Sequence, residues 1–187
     1  MKSIQYILCG LTLLLFVGCM SYERSMDAMN AMIFSNQLVE AESWIQKKKI
    51  MKKDRNAVLQ NMELATLQRY KGDYNNSIQF LNQADRLIED RKVNAGQRAL
   101  SLMTNPRSLP YQAEFFEMIA VHYIKCLNFL QIGQFNAARV EARRANIALN
   151  KLNDAIPDKP LKYHDDVLAH VIMGIAYEAN GETNNAF

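Results

Sequence analysis

The sequence predicts an all-α protein built from antiparallel helix-turn-helix units. Three observations carry this prediction: apolar residues recur at spacings of three and four, helix breakers are few, and strand-like alternation never persists. The 187 residues are 49% hydrophobic and 22% charged, which suits one domain with a core and excludes a disordered chain. A net charge of +3 gives no dense basic stripe, so we predict no nucleic-acid binding.

Residues 1–18 predict an export signal rather than a part of the fold. Lys2 supplies the positive charge, and residues 7–17 form an apolar stretch that is too short for a comfortable membrane span. No acidic residue precedes Glu23. An ordinary cleaved signal and an uncleaved anchor are the alternatives to the lipid-anchored form described next.

Cys19 ends this stretch in the sequence Phe16-Val17-Gly18-Cys19. The sequence resembles the lipobox of bacterial lipoproteins, although Phe16 departs from the usual Leu. The resemblance implies that Cys19 is lipidated and becomes the new N-terminus, so that acyl chains tether the protein to a membrane of the cell envelope. Met20, where Asp would favour inner-membrane retention, implies the periplasmic face of the outer membrane.

Cys126 is the one thiol left once the leader is removed and Cys19 is lipidated. A lone thiol forms no intramolecular disulfide, so an exported domain of this size must be held together by packing. We expect Cys126 to be a small buried residue without a catalytic role.

The helices follow from the apolar spacing between breakers. Met26, Met29 and Ile33 predict the first, and residues around Leu59–Leu67 and Ile78–Ile88 predict the next two. Further along, the pattern predicts helices over 111–132, 135–152 and 162–180. The breakers between them are Gly72, Gly96, Pro106, Pro110, Gly133, Pro157, Pro160 and Gly181.

A short sequence motif, called the turn phrase below, recurs at the predicted turns. It reads Gly72-Asp73-Tyr74, Gly133-Gln134-Phe135 and Gly181-Glu182-Thr183, with Asn36-Gln37-Leu38 as a weaker copy. Glycine or asparagine can adopt the left-handed conformation that ends a helix. We expect the aromatic residue to pack on that helix and a later small residue to let the next helix approach closely.

This phrase resembles the second helix of tetratricopeptide repeats. The residues that carry the likeness, and that it implies are packed between repeats, are Gly72, Tyr74, Ala84, Gly133, Phe135, Ala138, Ala145, Gly174, Tyr177 and Gly181. The stretch from Thr104 to Asn146 is similar to the core of an uncharacterised family of bacterial tetratricopeptide-like lipoproteins. The resemblance implies a divergent right-handed solenoid over 19–187, with extra segments near 91–110 and 153–160. Because the helix after Gly181 ends within about a turn, we expect the domain to be incomplete at its C-terminus.

Candidate partner-binding residues cluster around the helix pair that flanks Gly133. They are Tyr111, Glu114, Glu117, Asn128, Arg139, Arg143 and Arg144. Antiparallel packing predicts that Asn128 lies near Arg139 and that Cys126 lies near Glu141. Glu114 and Glu117 can stabilise a helix start or act as paired carboxylates in acid-base catalysis. Glu141 and Arg144 can pair along one helix, as a structural link or as part of an anion site.

Six basic residues fall within nine positions between two predicted helices: Lys47, Lys48, Lys49, Lys52, Lys53 and Arg55. They can form a solvated helix end next to the C-terminal dipole or a patch that attracts an anionic surface.

The sequence predicts no cofactor and no metal site. His164 and His170 are six apart and fall on different helix faces, and no phosphate-binding loop or nucleophile elbow is present. We therefore predict a membrane-tethered helical scaffold that binds an envelope protein or peptide rather than an enzyme. The alternatives are an envelope enzyme that uses Glu114 and Glu117, and a carbohydrate or small-ligand binder with an aromatic pocket near Tyr111, Phe115 and Phe116.

Overall fold

The computed structural model describes residues 22–49, 51–93, 110–155 and 166–186, and every regular element among them is helical. The predicted all-α class is therefore confirmed. The helices are α1 (Tyr22–Phe34), α2 (Leu38–Lys47), a short 3-10 helix (Asp54–Asn56), α3 (Ala57–Tyr70), α4 (Tyr74–Val93), α5 (Phe115–Gln131), α6 (Phe135–Ala155), α7 (Val167–Ala179) and α8 (Thr183–Ala186).

The chain divides into two compact units at Gln37. The first unit contains α1, which ends in a turn where Asn36 has a φ of 59°. The second unit runs from Leu38 and contains all the other helices.

The recurring phrase corresponds to a recurring turn. Gly72, Gly133 and Gly181 have φ values of 77°, 71° and 80°, the left-handed region that glycine adopts without strain. At Gly133, the next amide, of Gln134, donates to the carbonyl of Phe129 at 2.9 Å, and the other two glycine turns and the Asn36 turn repeat this bond. The helix before each of these four turns thus ends in a Schellman-type cap, and the following helix starts two residues after the left-handed residue.

Helices that are consecutive in the second unit pack against each other, and α5 also contacts α7. One core cluster joins α3, α4 and α5 around Val58, Leu81 and Val121. A second joins α5, α6 and α7 around Cys126 and Ala142. Because α5 contributes to both clusters, it is the element that connects the α3–α4 hairpin to the α5–α6 hairpin.

The small residues of the phrase lie where close approach was predicted, since Ala84, Ala138 and Ala145 are fully buried. Tyr74 lies against the preceding helix, with the guanidinium of Arg69 5.7 Å from its ring centre. Phe135 is partly exposed instead. Of the last repeat, Gly174 lies within α7, and Tyr177 packs on the second core cluster.

Two helices start later than their sequence patterns predict. α5 begins at Phe115 instead of 111, because Glu114 has an extended backbone and caps the helix. α7 begins at Val167 instead of 162, and the Asp166 side chain accepts a hydrogen bond from the Ala169 amide at 3.2 Å. The leader, Cys19, most of the two extra segments and His164 lie outside the described residues.

Candidate functional site

Two cavities meet along one face of α6. The first, of about 340 Å³, lies between α4, α5 and α6, and the second, of about 490 Å³, lies between α6 and the end of α7. Arg144 and Ile147 line both cavities. We call this pair of cavities the α6 groove, and the α6 residues that line it are Arg139, Val140, Arg143, Arg144, Ile147, Ala148 and Lys151.

The sequence of α6 explains why this face is left open. Ala138, Ala142 and Ala145 recur at helical spacing and are buried, so their small side chains bring α6 close to α5. The α6 residues that line the groove are mostly larger. Ile147 and Val140 remain 46% and 44% exposed. The helix therefore packs through its alanines and offers branched and basic side chains to solvent.

The first cavity has an apolar wall. Ile88, Phe115, Met118, Val121 and Ile147 contribute to it. Phe115 is 42% exposed, so this large aromatic ring is partly open to solvent inside a concave site. A concave, mostly apolar surface with a few polar groups is the usual form of a binding site.

A charged cluster from three helices adjoins the first cavity. Lys125, on α5, has a side chain only 2% exposed, and its Nζ lies 2.8 Å from Glu141 Oε1 and 3.2 Å from Asp85 Oδ2. Arg144 Nη1 lies 2.7 Å from the same Asp85 oxygen. Glu141 also accepts from His122 Nδ1 at 2.8 Å. Each buried charge thus has at least one opposite partner, which is the condition for tolerating charges in a protein interior.

Glu141 is the centre of this cluster. Burial acts to raise the pKa of Glu141, but hydrogen bonds from His122 and Lys125 and the charges of those groups outweigh it and hold the pKa below its ordinary value. The carboxylate is therefore ionised at neutral pH, and the ring nitrogen of His122 that faces it carries the hydrogen. The predicted pairing of Glu141 with Arg144 is present at 3.5 Å.

Cys126 is buried, as the sequence predicts, and is a free thiol. Burial and the nearby negative charge of Glu141 raise the pKa of its thiol to about 11. The thiol therefore stays protonated at neutral pH and is a poor nucleophile. The influence of Glu141 agrees with the predicted closeness of the two residues.

The second cavity is basic. Arg139 Nη1 donates to Glu182 Oε1 at 2.8 Å, which ties α6 to the turn after α7. Arg143 is exposed and, in the part of the chain that the structure describes, forms no ion pair. Tyr177 completes the lining. Guanidinium groups beside an aromatic ring suit a carboxylate or another planar anion.

The groove brings together three of the predicted partner-binding residues, Arg139, Arg143 and Arg144. Asn128 lies elsewhere: it is fully buried, accepts from Arg69 Nη1 and donates to Ser77 Oγ at 2.8 Å. Ser77 Oγ in turn donates to the carbonyl oxygen of Ala65 at 2.7 Å. This chain of hydrogen bonds joins α3, α4 and α5, so the role of Asn128 is to satisfy an interface between helices.

Tyr111, Glu114 and Glu117 form a separate group at the start of α5. Glu117 Oε2 accepts from the backbone amide of Glu114 at 2.8 Å, in a capping box, and the Tyr111 hydroxyl donates to Glu117 at 2.6 Å. The geometry matches the helix-stabilising interpretation of the two glutamates. Near them, burial and the charge of Glu117 raise the pKa of Glu63.

The basic cluster begins at Lys47, the last residue of α2, and continues through the segment that joins α2 to α3. Lys47, Lys49, Lys52 and Lys53 are exposed, whereas Lys48 and Arg55 are partly buried. Lys48 Nζ lies 4.8 Å from the centre of the Trp44 ring. The cluster is not part of the α6 groove.

Several residues of the site escaped the sequence analysis, among them Asp85, Lys125 and Ile147. Lys125 had a usable signal, because it follows Val121 by one helical turn on the buried side of α5, where an acidic partner is required. Asp85 had none, since its partners come from another hairpin. Phe115 was named only in the small-ligand alternative, and it does line a cavity, whereas Tyr111 and Phe116 do not line either cavity.

Within the described ranges, no three His, Cys, Asp or Glu side chains are grouped as metal ligands would be. The helices in those ranges are all too short or too polar to cross a membrane. No protein-family model, curated protein or solved structure matches the chain.

Proposed function

We propose that this protein is a membrane-tethered helical scaffold that binds a segment of another envelope protein in the α6 groove. The observation that carries the proposal is the pairing of Phe115 and Ile147, two large apolar side chains that are partly exposed in a concave site. Arg143 shares the lining of the second cavity with Ile147, and its charge is free of described partners. Apolar anchors with an adjacent basic group suit a peptide segment that carries apolar and acidic residues.

The repeat architecture supports this proposal. The finer fold that we infer is a divergent tetratricopeptide-like right-handed solenoid, in which helical hairpins stack in sequence order. In its favour are the shared Schellman-type turns at Gly72, Gly133 and Gly181 and the packing of consecutive helices. Stacked helical hairpins present extended surfaces that commonly bind peptides and proteins.

The location is also a proposal. The lipobox-like Phe16-Val17-Gly18-Cys19 suggests that acyl chains on Cys19 hold the protein at the envelope, with the periplasmic face of the outer membrane as the address that Met20 favours. A tethered scaffold needs only modest affinity, because confinement at the membrane raises the effective concentration of a partner in the same membrane.

A small-ligand function is the second candidate. The first cavity, at about 340 Å³, is large enough for a small molecule, and Phe115 supplies an aromatic surface. Nothing comparable favours the enzyme alternative, because Glu114 and Glu117 take part in the capping box at the start of α5.

Site-specific photocrosslinking in the native host tests the scaffold. A photoreactive amino acid is placed at Ile147 or Phe115 in the full chain, and at Asn146 and Gln83 as matched controls. Asn146 is the exposed neighbour of Ile147 and lines neither cavity, and Gln83 is an exposed position of α4 that also lies outside both. We expect both groove positions to crosslink to the same protein and the controls to give no such product.

Equal yields at groove and control positions would contradict the proposal, because contact would then be unspecific. The small-ligand function would be favoured instead by three results together. The groove positions would give no protein product, a small molecule would co-purify with the full chain, and the Phe115→Ala chain would fail to retain it.

A further inference from the structure

We propose that the basic cluster, the six residues Lys47, Lys48, Lys49, Lys52, Lys53 and Arg55, docks onto the anionic head groups of a lipid bilayer. The inference rests on the proposed lipid tether, which would keep the cluster near a membrane surface. In the sequence, α1, α2 up to Gln46 and the residues that flank them separate Cys19 from Lys47.

The segment that carries the cluster is folded onto the protein. Met51, in its middle, is completely buried, which fixes the segment to the core. The amides of Met51 and Lys52 both donate to the carbonyl of Lys48, at 3.0 and 3.2 Å, and so close a turn. Lys49 and Lys52, on either side of this region, are exposed, so their charges can reach a surface while Met51 stays in the core.

The lysine charges are available. Lys47, Lys49, Lys52 and Lys53 are exposed, and no ion pair engages them within the described ranges. A group of four to eight basic residues at a surface is sufficient for attraction to anionic lipid, and each lysine close to the membrane adds about fivefold to the affinity at physiological salt.

The residue types favour lipid over an acidic protein. Five of the six basic residues are lysines, and only Arg55 has the planar fork that pairs with a carboxylate through two hydrogen bonds. Lysines act as hydrated point charges, which suits a fluid layer of head groups in which no single partner has a fixed position.

Trp44 lies at the edge of the cluster, one turn before Lys48 on α2, and its ring is partly exposed. Indole rings favour the boundary between head groups and acyl chains. Trp44 is also the one tryptophan of the chain, so its fluorescence reports on the cluster without any label.

The test uses the full chain and two kinds of vesicle, one of phosphatidylcholine and one of an equal mixture of phosphatidylcholine and phosphatidylglycerol. Quenching of Trp44 by aqueous acrylamide is measured on each. We expect the anionic vesicles to reduce quenching by about twofold relative to the neutral ones, and salt well above physiological strength to remove the difference by screening.

The variant Lys49→Glu, Lys52→Glu, Lys53→Glu should abolish the difference between the vesicles. A control with the same change of net charge is Arg86→Glu, Arg143→Glu, Lys151→Glu, which alters exposed positions outside the cluster and should keep it. Equal quenching on both vesicles, or an unchanged difference in the cluster variant, would overturn the proposal. Protection of Trp44 by polyglutamate but not by anionic vesicles would also overturn it, in favour of an acidic protein.

Sedimentation with the neutral vesicles tests the tether separately. If the host-expressed chain fails to sediment with them, the tether is wrong whatever Trp44 shows. If it sediments with both kinds but Trp44 is quenched equally, the tether stands and the docking of the cluster is wrong.

Discussion

Arg143 and Arg144 are neighbours on α6 with different surroundings. Arg144 Nη1 lies 2.7 Å from Asp85 of the preceding hairpin and takes part in the buried charged cluster, whereas Arg143 is exposed at the edge of the second cavity. One step of about 100° around the helix separates the two. The comparison indicates that the inner face of α6 contributes to the contact between two hairpins, and we propose that the outer face binds the partner.

The largest effect is expected at the inner face. Glu141→Met removes the closest partner of Lys125 and leaves a buried ammonium with Asp85 alone. We expect a loss of about 3 kcal/mol in the free energy of unfolding, as for other broken buried ion pairs. Urea denaturation of the full chain measures it.

A second variant serves as the control for that result. Adding Lys125→Met removes the buried ammonium that has lost its closest partner, and Asp85 keeps Arg144 as its partner. The double variant should therefore be more stable than Glu141→Met alone, because the two changes interact. A double variant with the sum of the two separate losses would mean that the pair is not coupled.

The hydrogen bonds of Asn128, which join α3, α4 and α5, should contribute somewhat less to stability than Glu141 does. Asn128→Ala removes the amide that accepts from Arg69 and donates to Ser77, so both residues lose a hydrogen-bond partner. The cost should be about 2 kcal/mol, the penalty for unsatisfied buried polar groups. Thermal unfolding measures it, with Asn146→Ala, at an exposed site on α6, expected to change little. Equal effects of the two substitutions would show that Asn128 is not a structural link.

The turn between α5 and α6 sets the position of both faces. Gly133→Ala places a side chain on a residue with a φ of 71°, at a cost of about 1 kcal/mol, even though the space around the new methyl group is open. Gly72→Ala, in the same type of turn with equally open space, should cost the same. Unequal losses in calorimetry would contradict the view that the turns are equivalent.

Two glutamates should respond to pH in opposite directions. The pKa of Glu141 is below its ordinary value of 4.5, so its stabilisation is present above that pH and is lost as the pH falls further. Burial, followed by the charge of Glu117, raises the pKa of Glu63, so the ionised form of Glu63 weakens the fold as the pH rises.

The matched variants are Glu141→Gln and Glu63→Gln. At neutral pH the first should be less stable than the unmodified chain and the second slightly more stable, and both differences should shrink at acidic pH. Unfolding curves recorded across this range measure the effect. A stability gain of Glu63→Gln that persists unchanged in acid would mean that burial of its charge is not the cause.

The sequence was informative about local structure and less so about the site. The left-handed turns at Gly72, Gly133 and Gly181 were predictable because few other residues adopt that backbone. The burial of Ala138 and Ala145 agrees with the recurring turn phrase and the repeat resemblance that it carries. The groove was not predictable, because Asp85, Phe115 and Ile147 meet only through the packing of three helices. Two of the helix starts were also missed, since Glu114 and Asp166 cap their helices from positions that the apolar period cannot identify.

Arg143→Glu is expected to have the smallest effect on stability, and it is the most direct test of binding in the α6 groove. It reverses a charge on the outer face without touching the buried cluster, so the unfolding temperature should be unchanged within error. The decisive measurement is the yield of the protein crosslink from a photoreactive residue at Ile147 in the Arg143→Glu chain, compared with the Glu141→Gln chain well below its unfolding temperature. The account predicts that the crosslink is lost in the first and retained in the second. A crosslink that persists in the first and is lost in the second would show that the buried charged cluster, and not Arg143 on the outer face, determines binding.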